Sequence, residues 1–107
     1  MFLTHGNDIY INRGENASFT VVPYEDNGQE HVMEVNEFLR LTVRSRGFEL
    51  WHLDTEKGDT TFYIGKKESS RRGKFDFDVK LVYPDGSETV IIGDTPNFTP
   101  HFIVLEG

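Results

Sequence analysis

The sequence predicts an all-β fold: one β-sandwich domain over residues 1–107, built from about seven to eight short antiparallel strands. Three observations carry this. Apolar and polar residues alternate with period two along several stretches. Gly-bearing turns separate those stretches at fairly regular spacing. Only Glu30–Phe38 has apolar residues about one helical turn apart, at Val32, Val35 and then Leu39.

Taken in order, Asp8–Ile11 is a short opening strand stopped by Asn12-Arg13-Gly14. Ala17, Phe19 and Val21 then alternate with Ser18, Thr20 and Val22. Pro23 lacks a backbone N–H, so this strand ends at an edge or a bulge. Glu30–Phe38 is the one candidate helix, short and without a clear capping residue. Leu39, Leu41 and Val43 alternate with Arg40, Thr42 and Arg44, and Ser45-Arg46-Gly47 turns the chain into Phe48–Leu53. Thr60–Ile64 follows the Lys57-Gly58-Asp59 turn.

The most regular segment comes next. Phe75, Phe77, Val79 and Leu81 fall on one face, with Lys74, Asp76, Asp78 and Lys80 on the other, as in a strand with one buried and one wet side. Tyr83-Pro84-Asp85-Gly86 supplies a turn, with Pro presetting φ and Gly accepting a positive value. Thr89–Ile92 returns as the partner strand, and Phe98–Leu105 closes the domain.

Composition narrows the function. Hydrophobic residues are only 36% of the 107, but nine Phe and four Tyr can each bury a large area, enough for one modest core. The net charge of −7 repels phosphate backbones and argues against nucleic-acid binding. No cysteine is present, which excludes disulfides, thiolate metal sites and cysteine nucleophiles. The first residues carry no signal-peptide pattern, and no apolar run approaches the ~20 residues of a membrane helix. The expected place of synthesis is the cytoplasm, with no membrane partner.

Residues with chemical potential are scattered. His5, His31, His52 and His101 show no His-x-His or His-x3-His spacing, so exposed or structural roles are expected and no metal. Asp76 and Asp78 share a strand face with Lys74 and Lys80, the alternation of ordinary cross-strand pairing rather than a hydrolytic pair. No serine stands in a nucleophile elbow and no Gly-rich phosphate loop occurs, so neither catalytic residue nor cofactor is expected. Lys66-Lys67 and Arg71-Arg72-Lys74 cluster in one connection, read as a solvated loop in preference to a site for phosphate or an acidic partner. Asn16-Ala17-Ser18 and Asn97-Phe98-Thr99 match a glycosylation sequon, with no secretory signal to give them meaning.

Two strands, Thr89–Ile92 and Phe102–Leu105, are apolar on both faces, and Phe48–Leu53 is partly so. Outward apolar positions require either a covering loop or contact with another chain.

Four segments resemble the N-terminal domain family of phage baseplate upper proteins, also encoded by prophages of Gram-positive hosts. They are Ile9–Glu15 with Phe19-Thr20-Val21; Asn27-Gly28-Gln29 leading to Leu39–Arg44; Gly73–Leu81; and Asp85–Ile91 with Phe102-Ile103-Val104. The resemblance covers nearly the whole chain and implies an immunoglobulin-like sandwich. It also implies a non-catalytic virion protein made in the host cytoplasm, whose partners are other tail or baseplate proteins, with a homo-oligomer among the expected assemblies. Trp51, Tyr63, Ile103 and Leu105 are the expected interaction residues. The alternative is a carbohydrate-binding sandwich recognising host cell-surface glycans, with Trp51, Tyr63 and Tyr10 as stacking aromatics.

Overall fold

A computed structural model describes residues 2–5, 7–93 and 99–106. It is all-β, with nine strands and no helix among the described residues. They are β1 (Leu3–His5), β2 (Asp8–Asn12), β3 (Ala17–Thr20), β4 (Phe38–Ser45), β5 (Phe48–Asp54), β6 (Thr61–Ile64), β7 (Gly73–Val82), β8 (Glu88–Ile92) and β9 (His101–Leu105). Seven of them form one sheet in the order β1-β2-β9-β7-β4-β5, with β8 also on β7, while β3 and β6 form a second sheet.

The ten residues of β7 organise the large sheet. One edge pairs with β4 from Phe38↔Val82 to Arg44↔Asp76. The other edge is shared, Gly73–Asp76 facing β9 and Val79–Val82 facing β8. The β7–β8 hairpin forms as expected: Gly86 N–H bonds to Tyr83 O at 2.9 Å, with Gly86 at φ +88°. The β4–β5 hairpin closes through Arg46 and Gly47, both at positive φ, the two-residue turn whose twist matches that of the strands.

Two expectations need correction. The strands are not all antiparallel: β2 runs parallel to β9, from Ile9↔Phe102 to Asn12↔Leu105. No tight turn joins these two strands, so connectivity does not dictate their direction. The three-residue β1 adds a strand too short to show alternation. Residues 30–38 form no helix, because Val32 and Val35 are 82% and 77% exposed and so supply no buried stripe. That segment instead makes a bridge from Glu30 to Tyr24 and a turn from Glu34 to Glu37. In the closing strand, Phe98 lies outside the described residues, as does Asn97 of the second sequon.

Burial follows the alternation. Phe75, Phe77, Val79 and Leu81 are buried, and they join Leu39, Leu41, Val43, Ile9, Ile11, Phe102 and Val104 in one core. Phe62 and Ile64 of the small sheet belong to the same cluster, so both sheets bury a face in common. Phe19 stacks on Phe62 at 5.4 Å, and Phe2 on Phe19 at 5.9 Å, extending this contact to the chain's start. Each fully buried aliphatic or aromatic side chain contributes about 1.5–3 kcal/mol relative to exposure, which explains how a modest apolar fraction sustains the fold.

Candidate interaction surface

The four expected interaction residues do not share a surface. Trp51 is half-buried on the core side of β5, opposite Val43, with its ring edge-on to Phe102 at 5.3 Å. Tyr63 is exposed on the outer face of the small sheet, opposite Ser18. Ile103 is half-buried in the large sheet's outer face, flanked by Tyr10 and Lys74. Leu105 ends β9 opposite Asn12, and its carbonyl accepts Arg13 N–H at 2.8 Å. Neither the cleft at Tyr63 nor that at Trp51 is lined by another of the three stacking candidates, so these aromatics build no common platform.

Elsewhere the outer face of the large sheet is a lattice of charge pairs. Arg44 bonds Asp78, and Arg40 makes a two-point contact with Asp54 at 2.8 and 3.1 Å. His101 lies between Asp8 at 3.8 Å and Asp76 at 3.5 Å, and His52 meets Glu49 at 3.0 Å. The Asp76/Asp78 pair is therefore engaged in cross-strand pairing, as its flanking lysines suggested. Among the described residues no group of three or more His, Asp or Glu is arranged to hold a metal.

Two features stand apart from this lattice. The first is the β6–β7 connection, residues 65–72, which is tied down from within. Ser69 is fully buried, and its hydroxyl donates to Glu15 O at 2.8 Å. Gly65 N–H donates to Glu68 Oε1 at 2.8 Å, so the one carboxylate in the basic cluster is turned onto its own backbone. Lys66, Lys67, Arg71 and Lys74 take part in no ion pair among the described residues. Arg71 lies over the Phe75 ring at 5.7 Å. A cleft of about 300 Å³ opens here, floored by Leu50, Trp51 and Phe75 and rimmed by Lys67 and Arg71.

The second is the β3–β4 connection, residues 21–37. No Lys or Arg occurs between Arg13 and Arg40, and this connection holds Glu25, Asp26, Glu30, Glu34 and Glu37. Its tip, Tyr24–Glu30, is a small exposed finger closed by Glu25 N–H to Gln29 O at 2.7 Å and by Gly28 at φ +84°. The base is clamped by His31, whose Nε2 lies 2.8 Å from buried Glu37 Oε1 and whose Nδ1 faces Glu25. Hydrogen bonds to Glu25, then Glu37, hold this imidazole above the usual histidine range against the opposing effect of burial. Burial pushes the Glu37 carboxyl up, but Glu34 N–H and His31 outweigh it and leave Glu37 below its ordinary value.

Beside the finger, Val22, Tyr24 and Val90, all exposed, line one cleft of about 530 Å³ together with Asp8 and Asp26. The sequence marks the Thr89–Ile92 strand as apolar on both faces but not Val22 or Tyr24, since only the fold brings the β3–β4 connection beside β8. Neither family models, nor curated proteins, nor solved structures offer a match to this chain.

Proposed function

We propose that this chain is a non-catalytic structural module of a phage or prophage tail or baseplate, working through protein–protein contacts. The observation that carries the reading is the convergence of Val22, Tyr24 and Val90 on one cleft, three exposed apolar side chains, two from the β3–β4 connection and one from strand β8. Scattered apolar residues need no explanation, whereas a grouped set rimmed by acids suits docking.

The strand order supports the architecture that goes with this role. In the large sheet β9-β7-β4-β5 follows the G-F-C-C′ order of a variable-type immunoglobulin sandwich, and β3-β6 corresponds to its B-E pair. On this reading the two sheets are the halves of an immunoglobulin-like sandwich, and the charged outer face of β7 is its solvent side.

The test is physical presence in particles. Phage particles induced from the encoding strain and purified on a density gradient should carry the chain in fixed ratio to tail proteins, with immunogold label at the tail. Particles of full infectivity that lack it would refute the proposal.

A further inference from the structure

The finger and the basic cleft are complementary features on two different connections of one molecule. Glu37 and Gly58, whose backbones bond at 2.7 Å, hold the end of the finger's connection beside the Phe38↔Val82 end of the β4–β7 ladder, while Tyr24 and Asp26 line a cleft with Phe77 and Val90. The basic cleft lies at the other end of that ladder, where Trp51 faces Val43 and Phe75 begins the core side of β7. From Phe75 to Val82 the strand rises roughly 23 Å at about 3.3 Å per residue. No residue that lines the cleft beside the finger also lines the basic cleft.

We propose that copies of this chain dock head to tail, the Tyr24–Glu30 finger of one copy seating in the Leu50–Trp51–Phe75 cleft of the next. This names a partner for the docking role and rests on that reading for its setting. The finger presents an exposed aromatic ring, flanked by Asp26 and Glu30, with no cation. The cleft presents an apolar floor under Lys67 and Arg71, which have no ion pair among the described residues and outnumber Glu68, the one acid in the lining, in a loop already ordered by Ser69 and Glu68. Tyr24 meets the floor while Asp26 and Glu30 meet the rim. A preformed loop lowers the ordering cost of such a contact. Charge also selects the arrangement, because a chain of net −7 repels its copies everywhere except where a cationic patch meets an acidic one. Such an interface joins two different patches, so it propagates into a row or closes into a ring.

Sedimentation velocity on the wild-type chain, up to about 1 mM, tests this. At low salt the weight-average mass should rise with concentration, and in 1 M salt, where the screening length is about 3 Å, it should fall back to that of a monomer. Emission of Trp51, the only tryptophan, should shift with concentration in parallel, a readout that needs no variant. Lys67→Glu/Arg71→Glu and Asp26→Lys/Glu30→Lys should each remain monomeric, and mixing the two should restore association, since each then complements the other at both patches. A wild type monomeric throughout, or association that both pairs of substitutions leave intact, would overturn the proposal. So would a monomeric chain whose Trp51 emission responds only to a glutamate-rich peptide, which would make the occupant a foreign acidic segment. Particles containing a chain that does not self-associate would remove this docking and leave the structural role standing; head-to-tail association of a chain missing from particles would do the reverse.

Discussion

His31 stands between two carboxylates, its Nε2 at 2.8 Å from Glu37 Oε1 and its Nδ1 against Glu25 Oε1. A ring that donates from both nitrogens to two carboxylates is an imidazolium, the form that the raised His31 pKa favours. The clamp fixes the base of the Tyr24–Glu30 finger to the start of β4.

A pH dependence follows with a definite sign. The His31 pKa is raised by folding, so its contribution is fully present below the unfolded value near 6.5 and is lost as pH rises through the higher folded value. The Glu37 pKa is lowered, so its contribution is present above the unfolded value near 4.5 and is lost as pH falls through the lower folded value. The urea midpoint should therefore decline on going from neutral to alkaline pH. His31→Gln should lower the midpoint at neutral pH and flatten that alkaline decline. An unchanged slope in the variant would show that the clamp does not couple to folding.

Gly73 begins β7 at φ +151°, and a Cβ placed there would stand 2.9 Å from Phe75 Cζ. The Phe75 ring lies over the glycine, and Arg71 lies over that ring. Gly73→Ala should cost about 1–3 kcal/mol, from strained backbone and a displaced ring together. Because Phe75 floors the basic cleft, Trp51 emission should change as well. Chemical denaturation with fluorescence reads both.

Arg46 holds φ +53° at the first position of the β4–β5 turn, where Asn or Asp is the usual occupant. Arg46→Asn should stabilise the domain by about 1 kcal/mol, the low end of the cost of keeping an ordinary side chain in that region. A raised thermal midpoint in calorimetry is the expected result, with no change in the spectrum of the folded state.

How much of this was legible in the sequence differs from element to element. The β7–β8 hairpin was readable because alternation and the Tyr83–Gly86 turn are local signals that agree. The parallel pairing of β2 with β9 was not, since it joins residues more than ninety positions apart, as in Ile9↔Phe102. The helical spacing of Val32 and Val35 left a helix open as the lesser alternative, and Glu37 and His31 satisfy that segment through side chains instead of a helical ladder. The basic cluster was visible as composition, but its cleft was not. Leu50 reaches it at a β-bulge, where the register on β4 slips between Val43 and Arg44. Nor was the bond from Gly65 N–H to Glu68 Oε1 that shapes the loop.

Trp51 separates the core reading from the glycan reading by stability alone. Its ring meets Phe102 edge-on, and Phe102 has no exposed surface. Phe102→Ala should cost about 3–5 kcal/mol, as for other large aromatic truncations in a core. Trp51→Ala should cost somewhat less, because that side chain is only half-buried, and Trp51→Phe should recover most of the loss. If Trp51→Ala left the denaturation midpoint unmoved, the ring would be a surface group and the glycan reading would gain.

Arg44 and Asp78 bond across β4 and β7 on the outer face, and Asp78 Oδ1 is buried with no hydrogen-bond partner among the described residues. The carboxylate thus relies on a single charged neighbour. Arg44→Met removes that neighbour and leaves a largely desolvated charge, which should cost about 1–3 kcal/mol. Replacing both, as Arg44→Met with Asp78→Leu, removes the stranded charge too and should be less destabilising than Arg44→Met alone. The neighbouring Thr42, buried opposite Asp78, provides room for this exchange only if the two new side chains pack against it. A double-mutant cycle in urea, run at neutral pH, gives the coupling between the two positions. If the double variant were the less stable one, the pair would be a net source of stability on this face, and the charge lattice would be holding the sheet as well as keeping its outer side wet.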